Sequence, residues 1–213
     1  MATTIEEMQR HRASPGSEDF AIQFVNTVAW RISTQPEERM SSPAALLAWL
    51  ATIELFEKGF LRALASQWRL VPTLAARDHQ AALKLREAIY RALINLALCK
   101  PVAETDLDIV SHALSEGSSG TRLLVQREKC LWTSDGNATG SLAVLRPIAV
   151  SAVALLTGPR IHKIKQCEDE RGCGWLFLDE SRAQNRRWCS MGDCGNRAKA
   201  RRHYLHGRAA KQE

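Results

Sequence analysis

Cys167-Glu-Asp-Glu-Arg-Gly-Cys173-Gly-Trp-Leu-Phe-Leu-Asp179 and, after six more residues, Arg186-Arg-Trp-Cys189-Ser-Met-Gly-Asp-Cys194-Gly-Asn-Arg197-Ala-Lys199-Ala-Arg201-Arg202 together decide the fold of the C-terminal quarter. Four of the six cysteines of the chain fall here. In a reducing compartment such a cluster is more often a metal site than a disulfide framework. Zinc takes four thiolates in a tetrahedron, and two close cysteine pairs on tight turns supply them. Cys167, Cys173, Cys189 and Cys194 are therefore the expected ligands of a Zn2+ ion. Gly172 and Gly174 flank Cys173, and glycine lets a backbone fold back under a metal. Trp175–Leu178 has the residues of a strand, and Arg186–Trp188 is the expected return strand. Cys194 is expected to open a helix, whose N-terminus favours a bound thiolate. The gaps of five and four residues are wider than the usual zinc spacing at the first pair. Metal-free buried cysteines, a disulfide or an iron–sulfur cluster remain as alternatives at this point.

Charge follows the same division. Residues 1–159 hold 16 Lys/Arg and 16 Asp/Glu, whereas residues 160–213 hold 13 Lys/Arg and 7 Asp/Glu, so the C-terminal part carries the whole net charge of +6. That asymmetry points to an acidic partner. Arg186, Arg187, Arg197, Lys199, Arg201 and Arg202 are the candidate nucleic-acid contacts, extended by His203 and Arg208. A phosphate backbone rewards such a cluster by counterion release, and arginine can read guanine in the major groove. Double-stranded DNA is the expected partner. The alternative is a solvated basic face.

Outward from this segment, the first 159 residues read as a mainly helical domain. Helices are expected from Ser17, capped there, through Phe20, Phe24 and Val28; from Ser42-Pro43 through Leu50; over Leu55–Leu70 with Gly59 as a weak point; from Leu74 to Leu98; and over Thr105–Leu114. Residues 116–120 read as a loop. Leu123, Val125 and Cys130–Trp132 read as strands, with a hairpin turn at Ser134-Asp135-Gly136-Asn137 and a second arm near 138–144. Pro147 is expected to begin another helix through Leu156, closed by Gly158-Pro159. The fold class is thus α+β, mainly α: residues 1–159 a helical domain with a small β-hairpin, and residues 160–213 a treble-clef-like zinc module of knuckle, hairpin and helix.

Cys173-Gly-Trp-Leu-Phe-Leu-Asp179, Ser181-Arg182, Arg186-Arg-Trp-Cys-Ser-Met191 and Cys194-Gly-Asn-Arg-Ala-Lys199 resemble the CGNR zinc finger. Phe24-Val-Asn-Thr27, Leu85-Arg-Glu-Ala-Ile-Tyr90 and Leu145-Arg-Pro-Ile-Ala149 resemble segments of the ABATE domain that precedes this finger. The resemblance implies a bound zinc ion and a regulator of transcription under stress. It supplies no DNA site.

Within the helical part, Asn26, Thr27, Arg31, Arg86 and Tyr90 are polar or amphipathic residues among apolar ones. Arg86 and Tyr90 share a helix face. They could hold a small anionic ligand, or they could form a structural polar network. His79, His112 and His162 read as surface or capping histidines, and Cys99 and Cys130 as small core residues. No nucleophile–base pattern or phosphate loop is evident, so an enzyme is not expected. No apolar run long enough to span a membrane and no signal peptide are read, which places the protein in the cytoplasm. A homodimer is among the assemblies this reading admits. A zinc-braced protein-interaction module without DNA binding is the rival function.

Overall fold

A computed structural model describes residues 19–116, 121–126, 129–134 and 142–209. The expected cap at Ser17, the loop at 117–120 and the turn at 135–137 lie outside these residues. The described chain is mainly helical with small antiparallel hairpins, as expected. Helix α1 (Phe20–Val25) buries Ala21, Ile22, Phe24 and Val25. It ends at Asn26, so Val28 belongs instead to strand β1 (Val28–Ala29), paired with β2 (Glu37–Glu38). Helix α2 (Pro43–Thr52) starts as its sequence dictates: Ser42 Oγ accepts the amide of Ala45, and Pro43 fills the first turn, where no amide proton is needed. Helix α3 (Lys58–Leu70) is capped by the Glu57 carboxylate on the amide of Phe60.

Helix α4 (Pro72–Ala97) is the axis of the molecule. It buries Ala75, Ala82, Leu85, Ile89, Ala92 and Leu93, the three- and four-residue spacing of a helix with one face in the core. It packs against α1, α2, α3, α5 (Glu104–Glu116) and α6 (Leu142–Leu156). Its buried side also carries His79, whose Nε2 lies 2.6 Å from the Met40 carbonyl oxygen. His79 is thus a core histidine, because its position in the sequence falls on the apolar face rather than the solvent face.

Several expectations are corrected here. The hairpin is β3 (Thr121–Gln126) with β4 (Lys129–Ser134), so both of its arms precede the Asp-Gly signal. Residues 142–144 belong to α6, not to a second arm. Pro147 sits inside α6, more than a turn from its start. A helix leaves its first four amides unpaired, so proline at the sixth residue removes a bond near the end of the helix rather than one in its middle. Cys99 and Cys130 are exposed.

After a short 3-10 turn (Pro159–Lys163), strand β5 (Ile164–Gln166) pairs antiparallel with β6 (Leu176–Leu178). The partner of β6 is therefore β5, not Arg186–Trp188. Ile164-Lys165-Gln166 is too short to show a period, whereas Arg186–Trp188 has the bulk of a strand without its pairing. The β5–β6 hairpin closes around residues 167–175, so the knuckle is the hairpin's own turn.

Strand β6 is buried on both sides. Leu176 and Leu178 join the main core with Ile22, Phe24, Leu85 and Ile148, while Trp175 and Phe177 face a second cluster with Ala29 and the four cysteines. Alternation along a strand produces this division. Asn26 fixes the register. Its Nδ2 donates to the Leu176 carbonyl at 2.8 Å and its Oδ1 accepts the Leu176 amide at 2.9 Å. Replacing Asn26 by Leu strands both buried backbone groups, and each costs about 1–3 kcal/mol. Urea denaturation should show a loss of about 2–4 kcal/mol for Asn26→Leu; a change under 1 kcal/mol would deny the clamp its role.

Candidate metal centre and basic face

The centre is built on the knuckle and on the start of α7 (Asn196–Ala209), which follows a π-type turn over Met191–Gly195. The sulfurs of Cys167, Cys173, Cys189 and Cys194 all lie within 4.8 Å of one another, and all four residues are buried. Cys173 and Cys189 Sγ are 3.8 Å apart, and Cys189 and Cys194 Sγ 3.7 Å. A disulfide needs about 2.05 Å, so neither pair is one. A tetrahedron with metal–sulfur bonds of about 2.3 Å has edges of about 3.8 Å, which these two separations match. Cys167, across the wide first gap from Cys173, stands in the same cluster. The crowding splits the thiols. Hydrogen bonds from Cys173, Cys189 and Cys194 hold Cys167 far below the ordinary thiol range. Contact with Cys167 and Cys173 pushes Cys189 and Cys194 far up. A divalent cation at the centre is what lets four such groups be thiolates together.

Each residue of Cys194-Gly-Asn-Arg197 has a defined task. The Gly195 amide donates to the Ser190 carbonyl at 2.9 Å, and a Cβ there would stand 3.1 Å from Met191 Sδ. Asn196 Nδ2 donates to the Gly192 carbonyl at 2.9 Å, pinning the turn. Arg197 Nη2 donates to Cys194 Sγ at 2.9 Å and to Asp169 Oδ2 at 2.6 Å. Burial works against the Arg197 charge, but Asp169 and the Cys194 sulfur hold its pKa up.

The knuckle is seated on the helical part by the turn after β1. Arg31 and Ile32 donate their amides to the carbonyls of Cys173 (3.0 Å) and Gly172 (3.1 Å). Gly172 (φ +89°) and Gly174 (φ +65°) are left-handed, and a Cβ on either would lie within 2.6–2.8 Å of Ser33 or Ile32. The glycines therefore serve this close approach as well as the metal turn. Trp30, itself at φ +52°, lies under the knuckle with the guanidiniums of Arg171 and Arg197 each 5.1 Å from its ring centre. Trp175 Nε1 donates to the Val28 carbonyl at 2.7 Å. Asp179 is fully buried. It accepts from Lys165 Nζ, the Ser181 hydroxyl and the amides of Ser181 and Arg186. Burial works to raise its pKa, but these bonds hold it well below the usual carboxylate range. Trp30, Asp169 and Asp179 were not among the residues the sequence singled out as sites. Their signal is the surplus of polar and aromatic residues beside the motif, which no spacing rule ranks.

The five candidate ligand contacts of the helical part come together, bound to each other and to the chain. Arg86 grips Glu38 with both ends of its fork (2.7 and 2.6 Å) and also reaches Glu87 Oε1 (2.9 Å) and Thr27 Oγ1 (3.2 Å). Arg31 Nη1 donates to Glu87 at 2.6 Å and Nη2 to the Val25 carbonyl at 2.7 Å, with its guanidinium 4.0 Å over the Tyr90 ring. Tyr90 donates to the Gly174 carbonyl at 3.3 Å and accepts from Gln166. Asn26 is spent on Leu176. This network runs from β2 through α4 to the knuckle.

The six candidate nucleic-acid contacts divide. Arg186 is half-buried, its Nη2 on the Cys189 carbonyl at 3.0 Å and its guanidinium 4.9 Å over Phe177. Arg197 belongs to the metal centre. Arg187, Lys199, Arg201 and Arg202 are exposed. Lys199 and Arg202 carry no ion pair among the described residues. His203 is exposed as well, and the side chain of Arg208 lies outside the description. No described helix is long and apolar enough to cross a membrane.

Two family models match the chain. That of the CGNR zinc finger matches residues 163–206, and that of the ABATE family, whose description is "Putative stress-induced transcription regulator", matches residues 18–159. A search of the curated proteins finds no match.

Two measurements follow from this geometry. Cys167→Ala should lower metal affinity at least about 10-fold and reduce the thermal midpoint, because structural metal binding is folding energy; metal retained at wild-type affinity would remove Cys167 from the ligand set. Glu38 and Glu87 are pushed up by burial, but the Arg86 and Arg31 guanidiniums bring both net below 4.5. Their contribution is complete above that value and is lost as pH falls through the lower folded pKa. Urea midpoints should drop as pH falls below about 4.5, and Glu38→Gln should drop less than wild type over the same interval.

Proposed function

The chain belongs to the ABATE family and carries a CGNR zinc finger, and from that premise we propose a zinc-dependent regulator of transcription that binds duplex DNA through the exposed cations of its finger. One observation carries this reading. Arg187, Lys199, Arg201 and Arg202 are all exposed, the last three on α7, in the module that holds the whole net charge of the chain. Four thiolates at tetrahedral spacing favour zinc and fill its coordination shell. A closed shell suits a structural metal rather than a catalytic one, so no enzymatic role is part of the proposal. Nor is a small ligand at Asn26, Thr27, Arg31, Arg86 and Tyr90, whose polar groups are largely engaged within the chain.

A second reading has its own observation. The knuckle is bonded through Arg31, Ile32, Asn26 and Tyr90 to the helical part, so zinc braces the chain against itself. A protein-interaction or dimerisation module would need no more.

Titrating a fluorescent duplex with the metal-loaded chain separates the two. The DNA reading expects affinity to fall about 10- to 100-fold between 50 and 200 mM salt, as two to four phosphate contacts require. Lys199→Ala combined with Arg202→Ala should flatten that slope by about 2, and a strong chelator should abolish binding. Absence of binding at any salt, with a change of oligomeric state on chelation, would select the interaction module instead.

A further inference from the structure

The turn between Cys167 and Cys173 carries three successive acids, and each holds a different arginine of the finger. Arg187 Nε meets Glu168 Oε2 at 2.5 Å, Arg197 Nη2 meets Asp169 Oδ2 at 2.6 Å, and Arg201 Nε meets Glu170 Oε2 at 2.7 Å. The pairs are not equivalent. The Asp169 side chain is 4% exposed and its arginine also bonds a metal-site sulfur, so that pair belongs to the framework. The side chains of the Glu168–Arg187 and Glu170–Arg201 pairs are all more than half exposed. Pairs this open add little to stability, so folding does not depend on them. A carboxylate on a guanidinium occupies the same donors that a phosphate would take.

We propose that Glu168 and Glu170 act as an internal phosphate mimic, holding Arg187 and Arg201 until duplex DNA displaces them, and so set the affinity and salt dependence of the basic face. This rests on the DNA reading above and adds its regulation. Lys199 and Arg202 make the first contacts. They are exposed and unpaired among the described residues, and on α7 they lie turned away from the Arg197–Arg201 side. Each exchange leaves a freed glutamate beside the incoming phosphate, which repels it. A single small anion gains too little to overcome that repulsion. A backbone already held at Lys199 and Arg202 presents its next phosphates at high local concentration and can complete the exchange. The acidic turn thereby discriminates a polyphosphate from isolated anions.

The test uses the complete, metal-loaded chain and a labelled duplex. Glu168→Gln combined with Glu170→Gln frees both arginines and should tighten binding roughly 10-fold at 0.15 M salt, with a salt slope steeper by up to about 2. Glu104→Gln combined with Glu180→Gln removes the same charge from exposed sites elsewhere and should tighten binding far less. Metal content and circular dichroism check that each variant is folded. Wild-type binding with no gain in the Glu168/Glu170 variant overturns the mimic and leaves the DNA reading standing. An equal gain in both double variants also overturns it, since net charge alone then suffices. Wild-type binding confined to 50 mM salt, with the Glu168/Glu170 variant binding at 0.15 M as well, supports it in its strongest form. No binding by any variant at 50 mM salt sinks the DNA reading and the mimic with it.

Discussion

Four buried sulfurs within 4.8 Å of one another are the constraint on which the finger depends. Left as thiols they are poor hydrogen-bonding partners, and left as thiolates they repel in a site with little water to screen them. A central dication turns that repulsion into the strongest attraction in the module. The surrounding residues are arranged for the charged state. Arg197 donates to a sulfur, Asp169 balances Arg197, and the ring of Trp30 lies beside the same guanidinium. The finger has little apolar material of its own beyond Trp175, Phe177 and Trp188, so the metal replaces a core it could not otherwise build.

The finger is nevertheless not a bead on a string. Strand β6 gives Leu176 and Leu178 to the helical core and Trp175 and Phe177 to the cysteine cluster, so one strand serves both. The two family matches meet between residues 159 and 163, whereas the packing runs straight across that join through Ile161 and Ile164. The orientation of α7, and of its cations, is therefore set relative to the helical part and not only relative to the metal.

Much of this was legible in the sequence. The cysteine spacing and the Cys-Gly-Asn-Arg run announced the four-cysteine cluster because metal chemistry is local. The helices announced themselves where their caps are local too, as at Ser42-Pro43. What stayed hidden was long-range. Nothing near Asn26 says that its amide will meet the backbone of Leu176. The charge run 168–170 gave no sign that its carboxylates would claim Arg187, Arg197 and Arg201 one by one. The same reason explains the exchange of return strands: Arg186–Trp188 has strand-like bulk, but pairing is decided by which segment the core pulls alongside β6. Polar residues on α4 could be ranked as notable, yet whether Arg86 and Tyr90 faced a ligand or each other depended on partners far away in the chain.

The clamp between Asn26 and Leu176 joins residues 150 positions apart in the chain. Ribosomal synthesis delivers the N-terminal residue first, at about 5–20 residues per second. Helix α1 therefore waits about 8 to 30 seconds before the strand that completes it exists. During that interval its end carries an unanswered amide, and its apolar side lacks the cover of Leu176 and Leu178. Contacts this distant also make the slowest folding steps, since the intervening chain must be ordered before they form. The nascent protein thus passes through a stage in which most of its helices are made but the first is unsealed. Strand β6 closes that seam, and the metal site is completed only after Cys189 and Cys194 have followed it out.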